Sequence, residues 1–369
     1  MSTEYLGAPV YGIDKNTKNQ AWFDSRLDAA VSLQDVYVAD DYRTDQFEMI
    51  SRTTESLSDL GFYGNASEAD AISRDRRSPF DKGNPATQRL IDIVEGVENW
   101  LDLVPTAAAL MPIYNPDVAR LPNGHMMTKD LREWLGNLYD GIGIRSRGAT
   151  VTSLAAEESM RHSQPINMIS LACGAAQPIF DALESIKSEG ASMPRVKMVD
   201  LSKPILELVD GVATDSGLKD HVETVRMNIL KRDSFDESVL GYEQSDFVEA
   251  VGIFEYLKDT GDQNEYDKVM ERGSNMADAV TFLRNSYELV KPGGMLLIGN
   301  MLDTHPQLGF TLNVVQWPHI QPRSVDQMID IVGKSQIPVG SLDIYLPNDG
   351  DPGNAVYALY AIRKPDIGV

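Results

Sequence analysis

Short β-rich runs alternate with segments of helical spacing throughout the second half of the chain. The alternation begins near Ile166 and continues almost to the end of the 369 residues. Strands that alternate with helices form βαβ units, in which each helix connects two parallel strands of one sheet. Only the turn-rich residues 347–354 separate the last two runs, which predicts an antiparallel hairpin at the end of the sheet. The seven predicted strands are residues 166–172, 195–200, 221–227, 246–251, 295–299, 340–346 and 355–362.

The first part of the chain has a different pattern. Up to about Ser163, apolar residues recur at helical spacing or show no period. We therefore divide the chain into an N-terminal, mainly helical region, residues 1–163, and an α/β core, residues 164–369. Residues 61–88 are rich in Gly, Asn, Ser and Arg, which predicts a long loop or linker. Helices are predicted at residues 21–38, 45–60, 87–110, 128–137 and 140–161, and in the core at 178–189, 202–210, 266–290 and 323–334.

Composition and charge restrict the class of protein. Hydrophobic residues make up 42% of the chain, which is enough for a folded core. No run of about 18 apolar residues is present, so no membrane span is predicted. Residues 1–20 lack the basic-then-apolar order of a signal peptide, which predicts a cytoplasmic protein. The formal net charge of −22 repels phosphate backbones and disfavours a nucleic acid as substrate.

The sequence predicts neither a disulfide nor a metal site. Cys173 is the only cysteine, so no disulfide can form within the chain. The five histidines stand apart, and none has the spacing to a neighbour that a zinc site requires. No pattern in the sequence predicts an oligomeric state.

A loop of very small residues follows the first predicted strand. Ala172, Gly174, Ala175 and Ala176 would let a ligand approach the backbone closely. In an open parallel sheet, ligands bind beyond the carboxyl ends of the strands, where this loop is expected to lie. The amide groups at the start of the following helix favour an anionic group. Small residues also serve close packing of a helix on a strand, so the loop alone is a weak indication of a site.

The end of the second predicted strand strengthens this interpretation. Asp200 stands there, 26 residues after Gly174. A carboxylate at this place can accept hydrogen bonds from both ribose hydroxyls of an adenosine. The alternative is a helix N-cap or a solvated strand end. The loop and the carboxylate together favour a nucleoside cofactor.

Two further segments have a recognisable order. Residues 288–300, ELVKPGGMLLIGN, combine a helix end, a glycine turn and an apolar strand. Residues 245–257, SDFVEAVGIFEYL, combine a strand, Gly252 and a short aromatic segment. With the loop and Asp200, these segments resemble the class I, Rossmann-like methyltransferases that use S-adenosylmethionine, over residues 166 to about 364. A narrower resemblance, through residues 143–147, 170–176, 251–257 and 297–300, with Trp317, Arg323 and Ser324, is to a bacterial branch linked to a hydroxy-fatty-acid methyl ester signal, extracellular factor.

The resemblance implies a Rossmann-like sheet of seven strands and a cofactor, S-adenosylmethionine, bound at its carboxyl edge. Ser170 stands where the family has an acidic residue, and Ala172 and Ala176 stand at two of its glycine positions. The implied roles are spread over four loops. Ala172, Cys173 and Gly174 would line the methionine part, Asp200 and Leu201 would hold the ribose, Asn228 and Ile229 would flank the adenine, and Ala250, Val251 and Gly252 would pass beneath the sulfonium.

Glu255 and Tyr256 are the candidate catalytic residues. They follow the fourth predicted strand, where an acceptor would approach, and either could orient it. The alternative is a carboxylate at a helix N-terminus beside a packed aromatic ring. Arg145 and Arg147 lie ahead of the core; one of them could reach an anionic acceptor, and a salt bridge is the alternative for each. The N-terminal region is expected to cover the acceptor side of the cleft.

The expected activity is methyl transfer to a small-molecule or lipid-like acceptor that carries a carboxylate or a hydroxyl. Two other classes remain open. An NAD-dependent oxidoreductase would need a Gly-x-Gly-x-x-Gly loop after the first strand, and residues 173–179 lack it. A non-catalytic sensor or scaffold that binds S-adenosylmethionine would fit the reduced glycine content of the loop.

Overall fold

A computed structural model describes residues 2–5, 8–12, 82–83, 85–104, 106–116, 118–230, 244–259, 277–305, 308–317, 320–346 and 355–366. Helices predicted at 21–38 and 45–60 lie outside these residues, as does most of the predicted loop at 61–88. The described strands are numbered in chain order. Strands β1 to β9 span Ser2–Tyr5, Ala8–Gly12, Asn167–Leu171, Arg195–Asp200, Val222–Arg226, Ser245–Ala250, Val290–Met301, Leu342–Leu346 and Tyr357–Arg363.

Helices flank this sheet and extend beyond its carboxyl edge. Short 3-10 helices precede β5 at Lys219–His221, follow β6 at Phe254–Tyr256 and precede β8 at Val339–Ser341. Within the described part of the chain, none of the helices combines the length and the hydropathy that a membrane span needs. Helices α1 to α10 span Pro85–Ile93, Val97–Leu101, Ala107–Tyr114, Lys129–Asn137, Tyr139–Met160, Gln177–Ser188, Lys203–Asp215, Ala279–Glu288, Leu308–Asn313 and Val325–Lys334.

The strands form one mixed sheet in the order β1-β2-β8-β9-β7-β6-β3-β4-β5. Strands β5, β4, β3, β6 and β7 pair in parallel, and β9 runs antiparallel between β7 and β8. The seven predicted strands and the terminal antiparallel pair are therefore confirmed. The order of the parallel strands reverses between β3 and β6, which creates the switch point at which open α/β sheets bind ligands.

Strands β1 and β2 were not predicted, because their residues show no strand period. Strand β2 pairs in parallel with β8, and β1 pairs antiparallel with β2. An edge strand of this kind forms because its neighbour offers unpaired backbone N–H and C=O groups, and its own sequence contributes less. The region before residue 163 is thus mainly helical in its described residues but also contributes two strands.

The helix predicted at residues 87–110 is three helices instead. Gly96 lies between the first and the second of these helices. Its φ is 85°, a left-handed conformation that glycine adopts without strain. Proline at the first position starts α1 at Pro85, inside the predicted loop. Side chains cap two other helices: Thr128 caps α4 by accepting from Leu131 N, and Ser324 forms a capping box with Gln327 at the start of α10.

The turn predicted at residues 291–294 is a bulge within β7. Ser245 pairs with Val290 and Phe247 with Met295, so the four residues between them are displaced from the ladder. A side chain at Gly294 would place its Cβ 2.7 Å from the carbonyl oxygen of Asp246, which only glycine avoids. Of the helix predicted at 266–290, residues 279–288 are helical, and 266–276 lie outside the described residues.

Three apolar clusters hold these layers together. One face of the sheet packs on α8 and α10, and the other packs on α5, α6 and α7. The third cluster joins residues of α1 to α4 with residues 301–320, and its centre contains Trp100, Trp134 and Phe310. The N-terminal helices are thereby fixed over the carboxyl edge of the sheet. The predicted boundary near residue 163 stays a prediction, although α5 already packs against the sheet and α6.

Candidate functional site

A cleft of about 200 Å³ opens at the carboxyl ends of β3, β4 and β6. The β3–α6 loop forms one wall, and α3 and α5 form the opposite wall. The cleft therefore lies at the switch point of the sheet, where the sequence predicts a ligand. Its lining residues include Ala107, Tyr114, Arg147, Ala172, Cys173, Gly174, Ala176, Asp200, Glu249, Val251, Gly252, Tyr256 and Trp317.

The β3–α6 loop takes an unusual backbone path. Ala172, Gly174 and Ala176 have φ of 52°, 52° and 53°, all in the left-handed region. That region costs an L-residue about 1–2 kcal/mol, because its Cβ approaches the following carbonyl oxygen. Hydrogen bonds from Cys173 N to Val199 O at 3.0 Å and from Ala176 N to Cys173 O at 2.8 Å hold the path. The two alanines thus occupy positions where glycine would be unstrained.

Replacement of Ala172 by glycine is expected to stabilise the fold by about 0.5–1 kcal/mol. Relief of the left-handed strain exceeds the entropy that glycine adds to the unfolded chain. Chemical denaturation would measure the change, with Ala182→Gly inside α6 as the control that loses stability. A loss of stability in Ala172→Gly would show that the methyl group contributes more than the strain costs.

Asp200 connects the ends of β3 and β4. Its Oδ2 accepts a hydrogen bond from Gly174 N at 3.2 Å, and its Oδ1 accepts from Ser202 N at 2.8 Å. Each carboxylate oxygen keeps capacity for a further donor. Ser202 is the N-cap residue of α7, although its side chain makes no capping bond. The carboxylate is therefore fixed in orientation and borders the cleft.

The structure brings most of the predicted cofactor residues to the cleft. Ala172, Cys173, Gly174, Asp200, Val251 and Gly252 line it.

Four predicted cofactor residues lie elsewhere. Ala250 points into the apolar cluster beneath the sheet, because alternate residues of a strand face opposite sides. Leu201 is 54% exposed outside the cleft lining. Ile229 is buried in the core, and Asn228 accepts a hydrogen bond from Leu230 N at 3.1 Å within its own turn. Residues 231–243, which follow this turn, lie outside the described residues.

A second, smaller cavity of about 40 Å³ adjoins the cleft. It shares Arg147, Gly252, Tyr256 and Trp317 with the cleft, and its walls are mostly apolar. Trp317 Nε1 donates to the hydroxyl of Tyr256 at 2.5 Å, so the hydroxyl proton is left for another acceptor. The candidate Glu255 lines this second cavity, and the candidate Tyr256 lines both.

Arg147 lies between the two cavities and is 3% exposed. Its Nη1 is 3.6 Å from Glu255 Oε2, an ion pair beyond hydrogen-bond distance, and the ring of Tyr357 lies 4.4 Å from its guanidinium carbon. Arg147 Nε and Nη1 and Glu255 Oε2 have no hydrogen-bond partner among the described residues. These buried groups are therefore available to a ligand or to water.

Burial and charge act in opposite directions on this pair. Burial is the largest effect on Arg147 and lowers its pKa, but Tyr114, Tyr357 and Glu255 outweigh it, so the pKa stays above its ordinary value. Burial raises the pKa of Glu255, and Arg147 opposes that rise. Arg145 has a different environment: it donates to Ile113 O at 2.9 Å, to Leu135 O at 3.3 Å and to Gly136 O. The ion pair is thus confirmed for Arg147, whereas within the described part of the chain Arg145 binds backbone carbonyls and no carboxylate.

Two other ionisable groups of the cleft remain protonated. Burial, with Asp200 and Glu249 nearby, raises the pKa of the Cys173 thiol far above its ordinary value. Burial, with Glu255 nearby, likewise raises the pKa of Tyr256. A thiol in this state is a poor nucleophile. Tyr256 is a hydrogen-bond donor rather than a base.

Sequence analysis missed Glu249, which lines the cleft and is 6% exposed. Its Oε1 accepts a hydrogen bond from the hydroxyl of Ser170, and its Oε2 accepts from Val251 N at 2.9 Å. Burial raises its pKa to about 7 against these bonds and the charge of Arg147. The available signal was a carboxylate within the otherwise apolar run 247–251, which is rare unless the group is paired or functional.

No family model and no curated protein matches the sequence at a significant level. Solved structures match the fold. A possible exported protein from Bordetella parapertussis is 15% identical, with a TM-score of 0.52 over 87% of this chain and 96% of that one. An O-methyltransferase family protein from Burkholderia thailandensis is 17% identical, with a TM-score of 0.43 over 65% and 61%. The N-methyltransferase NodS from Bradyrhizobium japonicum, solved with S-adenosyl-L-homocysteine, is 15% identical, with a TM-score of 0.36 over 60% and 88%.

These similarities establish the fold through the first of the three structures. The other two have TM-scores below 0.5, and no functional argument rests on them. Function must therefore be argued from the residues of the cleft.

Proposed function

We propose that the chain is a methyltransferase that uses S-adenosylmethionine and acts on a small-molecule or lipid-like acceptor. The observation that carries the proposal is the placement of Asp200 beside the left-handed loop of Ala172 to Ala176 at the switch point of the sheet. A carboxylate beside an exposed backbone at this point suits an adenosine cofactor with an amino-acid tail.

The cleft residues fit such a cofactor. Of the residues that the structure describes, a side chain at Gly174 would meet Ala107 alone, at 3.5 Å, and one at Gly252 would meet Arg147 alone, at 3.6 Å, so both glycines leave their backbone open. Asp200 keeps acceptor capacity for two hydroxyl groups. By this proposal, Ala172, Cys173 and Gly174 face the methionine part, Asp200 holds the ribose, and Val251 and Gly252 pass beneath the sulfonium.

When bound, the cofactor supplies an activated methyl group: an acceptor oxygen bonds to the methyl carbon while the sulfur–carbon bond breaks and its electron pair stays on sulfur. The chain has to align the acceptor and exclude water, which can account for about 7–11 kcal/mol of the barrier. Helices α3 and α5 cover the cleft for this purpose. A carboxylate acceptor needs no general base, whereas a hydroxyl must lose its proton.

The second cavity is the proposed acceptor site. Its apolar walls suit an apolar body, and Arg147 suits a carboxylate or hydroxyl oxygen. Tyr256 would donate a hydrogen bond to the acceptor, and Glu255, whose Oε2 is unpartnered and whose pKa is raised, would take a proton from a hydroxyl. A hydroxy fatty acid, the acceptor type that the narrower sequence resemblance implies, belongs to this class. The net charge of −22 argues against RNA or DNA.

Replacement of Asp200 by alanine is expected to weaken binding of S-adenosylmethionine and S-adenosylhomocysteine by about 10- to 150-fold. The change removes charge-assisted hydrogen bonds worth roughly 1.5–3 kcal/mol. Calorimetric titration would measure both affinities, with the exposed Asp215→Ala as a matched control. Equal affinities of Asp200→Ala and the wild-type chain would exclude a ribose at this carboxylate.

Ligand stabilisation and label transfer distinguish the proposed activity from the other two classes. A raised melting temperature with S-adenosylhomocysteine but not with NADH supports the methyltransferase, and the reverse supports an oxidoreductase. Transfer of labelled methyl should then be followed in a lipid extract, a pool of small acids and total RNA. Label in the lipid or acid fraction is the expected result. Cofactor binding without transfer to any fraction would favour a sensor or scaffold, and label mainly in RNA would contradict the acceptor class.

A further inference from the structure

Ser170 and Glu249 stand opposite each other on adjacent parallel strands, β3 and β6. Their side chains share one face of the sheet and are joined by a hydrogen bond from the serine hydroxyl to Glu249 Oε1. Strand β6 therefore places the side chain of Glu249 next to Ser170 of β3, whose small side chain leaves room for it. At the carboxyl end of this strand pair the carboxylate comes from β6, whereas the second carboxylate of β6, Asp246, lies at the opposite end and accepts a hydrogen bond from Asn167 N.

We propose that Glu249 provides the negative charge that recognises the cationic part of the cofactor, in the place left by Ser170. The inference rests on the proposed function and assigns a recognition role that sequence analysis gave to no residue. S-adenosylmethionine carries two positive charges, an α-ammonium and a sulfonium. Either charge is the kind of group that a buried carboxylate binds, and the experiment below separates them.

The surroundings of Glu249 support a ligand role. Of the described residues that line the cleft, only Asp200 and Glu249 are acidic. Asp200 lies at the end of β4, whereas Glu249 lies behind Val251 and Gly252, nearer the residues assigned to the sulfonium. A buried carboxylate is unfavourable unless it is paired, and no cation lies within ion-pair distance of Glu249 among the described residues. A cationic ligand would supply the missing partner.

The carboxylate is also held ready to bind. Ser170 fixes Oε1 and Val251 N fixes Oε2, so each oxygen makes one hydrogen bond and can accept another. Binding therefore needs no rearrangement of this side chain, which is the condition under which a charge contributes most to recognition. The positive charge of Arg147 on α5 acts on Glu249; it repels a cation and favours placement of the cation on the Glu249 side.

Three ligands test the proposal with Glu249→Gln, which keeps the shape and removes the charge. S-adenosylmethionine has both positive charges, S-adenosylhomocysteine keeps only the ammonium, and 5′-methylthioadenosine has neither. The expected result is at least a tenfold loss of affinity for S-adenosylmethionine with unchanged affinity for methylthioadenosine. An equal loss for S-adenosylhomocysteine assigns the ammonium, and an unchanged affinity for it assigns the sulfonium. Unchanged binding of S-adenosylmethionine, or an equal loss for all three ligands, would overturn the proposal.

If Glu249→Gln does not fold, the double variant Ser170→Glu with Glu249→Ser tests the proposal instead. It returns the carboxylate to β3, and affinity for S-adenosylmethionine within about threefold of wild type is expected. Loss of that affinity with normal binding of methylthioadenosine would contradict the proposal. Failure of the wild-type chain to bind any of the three ligands would instead refute the proposed function, so the two failures are distinguishable.

Discussion

Replacement of Arg147 by methionine is expected to lower the free energy of unfolding at pH 8 by about 3–5 kcal/mol. The change leaves Glu255, which is 4% exposed, without its cationic partner and removes the contact with the ring of Tyr357. Removal of one member of a buried ion pair is costly because the other charge stays in a medium of low polarity. Denaturation monitored by circular dichroism would measure the loss.

Two controls separate charge from packing. Arg161→Met removes a guanidinium that is 55% exposed and paired with Glu158, and should cost less than about 1 kcal/mol. The double variant Arg147→Met with Glu255→Gln should recover part of the loss, because no uncompensated charge remains. The loss in the single variant should also be smaller at pH 5, where Glu255 can take up a proton. Additive effects of the two changes would show that Arg147 acts through its packing alone.

The sequence predicts the core of this fold because its signals are local. Residues 166–172 are mostly apolar, residues 195–200 combine three apolar residues with three charged ones, and the helices that follow these runs carry Pro178 and Pro204 near their first residues. Such patterns determine strand positions without knowledge of the partners. Strand β2 had no such signal, since it depends on pairing with β8. Gly96 breaks a helix that apolar spacing alone would continue.

The cleft was predictable only in part for a related reason. Its β3–α6 loop and Asp200 lie at strand ends, and parallel strands bring their carboxyl ends to one edge. Glu249 was missed because its role depends on Ser170, which is 79 residues earlier in the chain and lies beside it on the adjacent strand. Arg147 was considered, but its place between two cavities follows from the packing of α5 on the sheet. The family resemblance implied a role for Asn228 and Ile229, but Ile229 is buried in the core and Asn228 accepts a hydrogen bond within its own turn.

Glu249→Gln is expected to stabilise the ligand-free chain at pH 8 by on the order of 3 kcal/mol and to change little at pH 4. The fold raises the pKa of Glu249 from 4.5 to about 7, chiefly by burial. Between these two values the folded state binds more protons than the unfolded state, so stability falls as pH rises. The difference between the two pKa values corresponds to about 3 kcal/mol of folding stability, and the wild-type chain has lost all of it above pH 7.

Urea denaturation of the ligand-free chain at pH 5, 6, 7 and 8 would measure this effect, with the exposed Glu184→Gln as the control. The curves of wild type and Glu249→Gln should separate as pH rises, while Glu184→Gln stays parallel to wild type. If the curves of wild type and Glu249→Gln stay parallel, the environment of the carboxylate is more favourable than its burial indicates. A gain in stability combined with weaker binding of S-adenosylmethionine would identify Glu249 as a group kept for binding, since a structural carboxylate would stabilise the fold that contains it.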